Sequence, residues 1–230
     1  MAKTILAIGA HYDDCVFGIP GILLQAARKH DRVVILSLIG DYSNWAPTKG
    51  REKEFVSSTI AISKEYGMDM RYLDFASHRY DVTLETKRAV AAVVADVKPD
   101  LAFTMWPHDH HHDHEVASTL SKIALRHGDR VWDQGPVPTP RRIYLYDNGP
   151  RHTIGFEPNT FVDISAEWPA ASEWLGRMMA LTRNQPYDAK KQDGALRAKE
   201  TLARYRGATC GVPYAEALWA ANAYPVDVLM

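Results

Sequence analysis

The stretch that most constrains this chain is Ile5-Leu6-Ala7-Ile8-Gly9-Ala10-His11-Tyr12-Asp13-Asp14-Cys15. It reads as a short apolar strand running straight into a polar turn. Val16, Phe17, Ile19, Leu23, Leu24 and Ala27 then recur with a helix-like pattern. Three ionisable side chains, His11, Asp13 and Asp14, therefore fall in a strand-to-helix loop, the edge of an open parallel sheet where ligands bind. A His and an Asp three apart can hold one metal, leaving Asp13 free to handle a proton.

The rest of the chain repeats the alternation. Arg32 to Ile39 reads as a second buried strand, Arg51 to Tyr66 as a helix, Met70 to Phe75 as a third strand, and Leu84 to Val97 as a helix with Val90, Val93, Val94 and Val97 on its apolar side. Lys98-Pro99-Asp100 breaks that helix. Leu101 to Trp106 follows as strand four, and a helix runs from about His114 to His127. Gly40 to Gly50 and the proline-marked Gly128 to Arg142 read as loops. Arg142 to Tyr146 and Thr160 to Ile164 are late strands; Ala166 to Arg183 and Ala189 to Tyr205 are late helices. Strands alternating with helices imply right-handed crossovers and a mostly parallel sheet, with local order 3-2-1-4. The fold class is α/β: a single Rossmann-like domain over residues 1–230, its sheet flanked by helices. A metal site is expected at the carboxyl ends of strands one and four, where the order reverses.

Composition narrows the class. The 230 residues suit one domain with an ample core. A formal net charge of -1 argues against a dedicated nucleic-acid partner. No apolar run reaches membrane-spanning length, and Met1-Ala2-Lys3-Thr4 enters the first strand without a signal-peptide layout, so a soluble cytoplasmic protein is expected. Cys15 and Cys210 make no disulfide framework. The first turn lacks Gly-x-Gly-x-x-Gly and puts carboxylates where a dinucleotide needs bare backbone, which argues against a nucleotide-binding module.

Five of the ten histidines lie between His108 and His114. An isolated histidine run is as readily a solvated loop as a site. This run begins where strand four should end, opposite the His-x-x-Asp loop, and two near ligands plus one distant one is a common layout for catalytic zinc. His114, which opens the next helix and follows Asp113, is the distant ligand by this reading. His108, His110 and His112 are read as loop or rim residues, or as supports behind the ligands.

His11-Tyr12-Asp13-Asp14-Cys15 resembles the His-Pro-Asp-Asp-Glu motif of the PIG-L/LmbE family of zinc-dependent N-deacetylases, and His111-His112-Asp113-His114 resembles its His-Pro-Asp-His motif. Arg51 and Glu54 fit the family's Arg-x-x-Glu helix start, Phe156 to Ser165 its late strand, and Gly211 to Glu216 its C-terminal signature. The resemblance implies that His11, Asp14 and His114 hold one zinc per chain and that Asp13 is the general base. The donor set also suits iron or cobalt.

Amide hydrolysis itself asks for an activated water, a polarised carbonyl and a proton for the leaving amine. His111 is expected to stabilise the oxyanion, Asp113 to orient its imidazole, and Arg51 to anchor substrate through its fork of donors. Trp45, Tyr42, Tyr80 and Trp106 are candidates for a sugar-facing wall, Asp81 and His78 for an approach from strand three, and Tyr214 and Glu216 for either the pocket or a subunit contact.

Tyr12 and His112 depart from the motif prolines, and Cys15 from the motif glutamate; a small buried thiol, not a ligand, is expected at Cys15. The function implied is removal of an acetyl group from an N-acetylated amino sugar or its conjugate, such as an N-acetylglucosamine derivative, with a homo-oligomer in keeping with the family. The alternatives are zinc hydrolysis of a non-sugar small amide and a metal-binding member without catalysis.

Overall fold

In the computed structural model, which describes residues 2–191 and 193–225, the first strand β1 (Thr4–Gly9) is central and fully enclosed. Leu6, Ala7 and Ile8 have no exposed surface. Such burial contributes roughly 1.5–3 kcal/mol for each large aliphatic side chain, so the strand is fixed by its apolar run.

β1 pairs in parallel with β2 (Arg32–Asp41) on one side and β4 (Leu101–Met105) on the other, with Ile5 opposite both Val33 and Leu101. β3 (Met68–Ala76) adds to β2, and β5 (Arg142–Tyr146) to β4, both in parallel. The sheet closes with an antiparallel edge, where β7 (Ala215–Trp219) pairs with β5 and β6 (Thr160–Asp163) pairs with β7. The order is β3-β2-β1-β4-β5-β7-β6, so the expected 3-2-1-4 arrangement and its reversal point are present.

The helices are α1 (Asp14–Gly18), α2 (Pro20–Arg28), α3 (Glu52–Glu65), α4 (Leu84–Val97), α5 (His112–His127), α6 (Trp168–Thr182) and α7 (Gly194–Cys210). α1, α2 and α3 pack with α6 on one side of the sheet, and α4 packs with α5 over β1 and β4.

Several boundaries differ from the sequence reading for physical reasons. The helix after β1 is two helices, because Pro20 has no N–H and Ile19 leaves helical geometry at φ -137° and ψ 37°. α7 starts at Gly194, not Ala189, because Asp193 caps it by accepting from the Ala195 N–H, and it ends where Gly211 turns left-handed at φ +80°. The expected helix over 189–205 also spans Gln192, which lies outside the described residues. α5 starts two residues early because His111 caps it. β7 has no counterpart in the sequence reading.

Buried polar residues join the C-terminal edge to the first helices. Glu216, 2% exposed, accepts from the Gly21 and Ile22 N–H groups at 3.0 and 2.9 Å, two of the unpaired donors at the start of α2. Lys199 reaches Glu216 at 2.9 Å and donates to the Gly18 carbonyl. Glu216 therefore organises the core and does not reach the site.

Candidate active site

At the carboxyl end of β1 the backbone passes very close to the following turn. A Cβ on Gly9 would meet the Asp14 Cβ at 2.7 Å, so only glycine lets the strand end pack against this carboxylate. Asp14, 5% exposed, is pulled back over the turn by the His11 N–H, which donates to its Oδ2 at 2.7 Å. Across the reversal point, α5 begins directly beneath strand four and brings His114 to the same place.

His11, Asp14 and His114 offer ligand atoms that all lie within 4.8 Å of one another. His11 Nδ1 is 3.5 Å from Asp14 Oδ2, and His114 Nε2 is 3.3 Å from Asp14 Oδ1. Two imidazoles and a carboxylate gathered this closely are a donor set suited to a divalent cation.

Each imidazole is backed by a further buried carboxylate. His11 Nε2 is 3.2 Å from Asp113 Oδ2, and His114 Nδ1 is 3.0 Å from Asp109 Oδ2. Such partners set the ring orientation and raise ligand basicity. Asp113 is itself held by the Ser77 hydroxyl at 2.6 Å and the His78 N–H at 2.9 Å. Asn148 donates to Asp14 Oδ1 at 2.8 Å.

This concentration of carboxylate draws positive charge. Burial opposes protonation of His11, yet Asp113 and Asp14 outweigh it and lift its pKa to about 9. Burial likewise opposes His114, and Asp14 and Asp109 lift it to about 10. Asp14 and Asp113 are held well below the usual carboxylate range despite burial, by the imidazoles around them. A metal cation and protons compete for the same positions.

Asp13 and His111 face the same cavity, of about 620 Å3, as the three candidate ligands. Asp13 caps α1 without any side-chain cap bond. Burial, then the neighbouring Asp14 charge, pushes its carboxyl up to about 6. His111 accepts the Asp113 N–H on Nδ1 at 3.3 Å, so the neutral ring carries its proton on Nε2. Burial and then the adjacent His11 and His114 charges lower its pKa to about 4. Asp113 lies 3.8 Å from His111 Nδ1 but 3.2 Å from His11 Nε2, so it orients the candidate ligand His11 more closely than His111.

The other sequence candidates separate. Trp45 and Tyr42 line the cavity, as do Tyr12 and His78. Arg51, Asp81 and Tyr214, read as substrate-binding, do not. The Arg51 guanidinium donates to the Pro47 and Thr182 carbonyls at 3.0 and 2.8 Å, tying the β2–α3 loop to the end of α6. Asp81 accepts from the Val82 N–H and its carbonyl from Thr86, which holds the turn before α4. Tyr214 stacks on Trp168 at 4.4 Å with Arg204 over its ring. Tyr80 donates to the Asp113 carbonyl from beneath, and Trp106 packs with Phe156 and Trp219.

Tyr12 is buried against Phe55, and Cys15 Sγ lies 3.3 Å from the Tyr146 hydroxyl, away from the ligand cluster. His108, His110 and His112 are exposed.

Four residues at the site were not singled out from sequence: Ser77, Asp109, Asn148 and His152. Asn148 and His152 stand on the segment after β5, which docks along the histidine-rich loop: the His110 and Ile154 N–H groups donate to the His152 and His108 carbonyls. The signal for Asn148 was Asp147-Asn148-Gly149 directly after a strand, the same carboxyl-end rule that found His11.

The chain is thus an α/β protein with a candidate His/Asp metal site at the reversal point of its sheet. A family model described as PIG-L: GlcNAc-PI de-N-acetylase matches residues 6–125, just over half of the sequence, and the chain belongs to this family.

Among solved structures, the conserved protein TT1542 from Thermus thermophilus is similar at a TM-score of 0.81, with 22% identity and 99% of each chain covered. GalB, the 4-carboxy-2-hydroxymuconate hydratase from Pseudomonas putida, is similar at 0.79, with 19% identity over 99% of this chain and 100% of its own. The N,N'-diacetylchitobiose deacetylase from Pyrococcus horikoshii is similar at 0.76, with 19% identity over 94% and 83%. These likenesses establish the shared fold. No helix among the described residues is long and apolar enough to cross a membrane.

Proposed function

We propose that this chain is a metal-dependent hydrolase, zinc being the first candidate, that removes the acetyl group from an N-acetylated amino sugar or its conjugate. The observation that carries the reading is the convergence of ligand atoms of His11, Asp14 and His114 within 4.8 Å of one another, with Asp13 and His111 facing the same cavity. Membership of a de-N-acetylase family and a fold shared with a diacetylchitobiose deacetylase support it.

His11, Asp14 and His114 would hold the metal. When bound, such a metal lowers the pKa of a water towards ~7 and polarises a carbonyl. Asp13 accepts the water proton and delivers it to the leaving nitrogen. His111 directs its Nε2–H at the oxygen that gains charge as the amide carbon becomes tetrahedral. Trp45, packed on the buried Tyr42, gives the sugar ring an apolar wall.

The test is acetate release by metal-loaded protein across N-acetylglucosamine glycosides and non-sugar amides, with metal content measured alongside. Sugar amides are expected to turn over best. Asp13→Asn is expected to keep its metal while kcat falls by about 10²–10⁴. A near wild-type kcat in that variant would refute the role of Asp13. Preference for non-sugar amides would move the substrate class, and bound metal without turnover would leave a metal-binding protein. Because a hydratase has the same fold, a hydroxymuconate is included; hydration in place of acetate release would refute the hydrolase reading.

A further inference from the structure

A second cavity, of about 520 Å3, adjoins the first and shares Pro150, Arg151, Gly194 and Ala198 with it. α7 supplies Arg197, Tyr205 and Arg206 to its wall, and the segment after β5 supplies Phe156. Its charged lining consists of three arginines and Asp147. Asp147 is committed to Arg206 at 3.1 Å, and that guanidinium also lies over the rings of Phe156 and Tyr205, 5.4 and 5.5 Å from their centroids.

Arg151 and Arg197 are different. Both are exposed, and neither guanidinium meets a carboxylate or carbonyl among the described residues. Two cations without a partner among the described residues stand on the wall of a concavity that adjoins the candidate active site and shares lining residues with it. The N-terminus of α7 at the same wall is already capped by the Asp193 carboxylate, so the free positive charge there is that of the two arginines. A neutral sugar would gain little from this charge. A guanidinium fork matches the paired oxygens of a carboxylate or a phosphate.

We infer that the second cavity is a subsite for an anionic group, a carboxylate or a phosphate, carried by the sugar whose acetamide occupies the first cavity. The inference rests on the proposed deacetylase function for the sugar, but not for the anion. Arg151, on the boundary between the cavities, meets the anion nearest the sugar, and Arg197 meets it from α7. Tyr205, 63% exposed, offers a flat face beside them.

The experiment compares acetate release from methyl N-acetylglucosaminide, carboxymethyl N-acetylglucosaminide and N-acetylglucosamine 1-phosphate by the metal-loaded protein. At least one anionic substrate is expected to exceed the neutral one in kcat/KM by about 10–100-fold, the effect of one or two charge-assisted contacts. Which of the two gains identifies the anion. The ratio should fall towards one in the Arg151→Gln/Arg197→Gln variant and in high salt. The Arg151→Lys/Arg197→Lys variant should retain a larger share.

Calorimetric binding of glucosamine 1-phosphate, of carboxymethyl glucosaminide and of methyl glucosaminide needs no turnover, and should show the same dependence on the arginines. A wild-type ratio near one, or a preference that survives the glutamine variant, overturns the subsite and leaves the deacetylase function standing. Arginine-dependent binding of an anionic amine with no acetate release from any substrate overturns that function and keeps the subsite.

Discussion

Asp109→Asn isolates what the carboxylate behind His114 contributes. The change is nearly isosteric. An asparagine oxygen can still accept the His111 N–H that Asp109 Oδ1 accepts at 2.8 Å, so the loop turn is retained. What is lost is the charge 3.0 Å from His114 Nδ1, one of the two carboxylates that lift this imidazole's pKa. Loss of a carboxylate behind a metal-ligating histidine typically weakens metal binding by about 10–100-fold, or about 1.4–2.7 kcal/mol. At saturating metal the same amount disappears from the stabilisation that metal gives the fold. A chain of this size loses about 2–4 °C of Tm per kcal/mol, so the metal-induced rise in Tm should shrink by about 3–11 °C. The assays are competition for metal against a chelator of known affinity and melting with and without zinc. A variant with wild-type metal affinity and an undiminished Tm rise would refute the argument that Asp109 holds His114 in its ligating state.

The same logic applied to the other ligand predicts that Asp113→Asn weakens metal binding through His11, and that Ser77→Ala has a smaller effect in the same direction, both read by chelator competition. His111→Ala should retain metal and lose about 10²–10³-fold in kcat, measured on the best substrate; loss of metal instead would make it a ligand. Arg51→Ala should lower Tm by the loss of two carbonyl contacts of a charged donor, with little change in KM; a KM rise without a Tm change would restore its substrate-binding role. Lys199→Met leaves Glu216 charged and buried and should cost about 3–5 kcal/mol in urea unfolding, whereas Lys199→Met/Glu216→Gln should cost less than the sum of the two single changes.

Sequence legibility followed the local physics of each element. β1, β2 and β4 could be read because they are enclosed on both faces and spell continuous apolar runs. α4 could be placed from Leu84 to Val97 because its valines repeat at helical spacing and Lys98-Pro99-Asp100 breaks it; the structure adds a Thr83 cap and a left-handed turn at Lys98. β7 escaped notice because a buried glutamate lies within it. Glu216 interrupts the apolar pattern for a purpose that exists only in three dimensions, the donors at the start of α2 and the ammonium of Lys199. Arg51 is the converse case. A guanidinium in a polar loop suggests a ligand, while its actual acceptors are carbonyls 4 and 131 residues away that no spacing rule connects.

The candidate site divides along the same line. His11, Asp14 and His114 were legible because topology alone brings the ends of β1 and β4 together, and a reversal in strand order needs no side-chain detail. The residues behind them were not. Asp109 and Asp113 occupy the same run of histidines and aspartates, yet α5 begins between them. One precedes the helix and reaches His114 Nδ1; the other lies in its first turn and reaches across to His11 Nε2. His114 stands at the head of the helix whether it starts at 112 or at 114, so the candidate ligand set does not depend on that boundary. The placement of the supporting carboxylates does, through the cap that His111 makes with the Asp113 N–H.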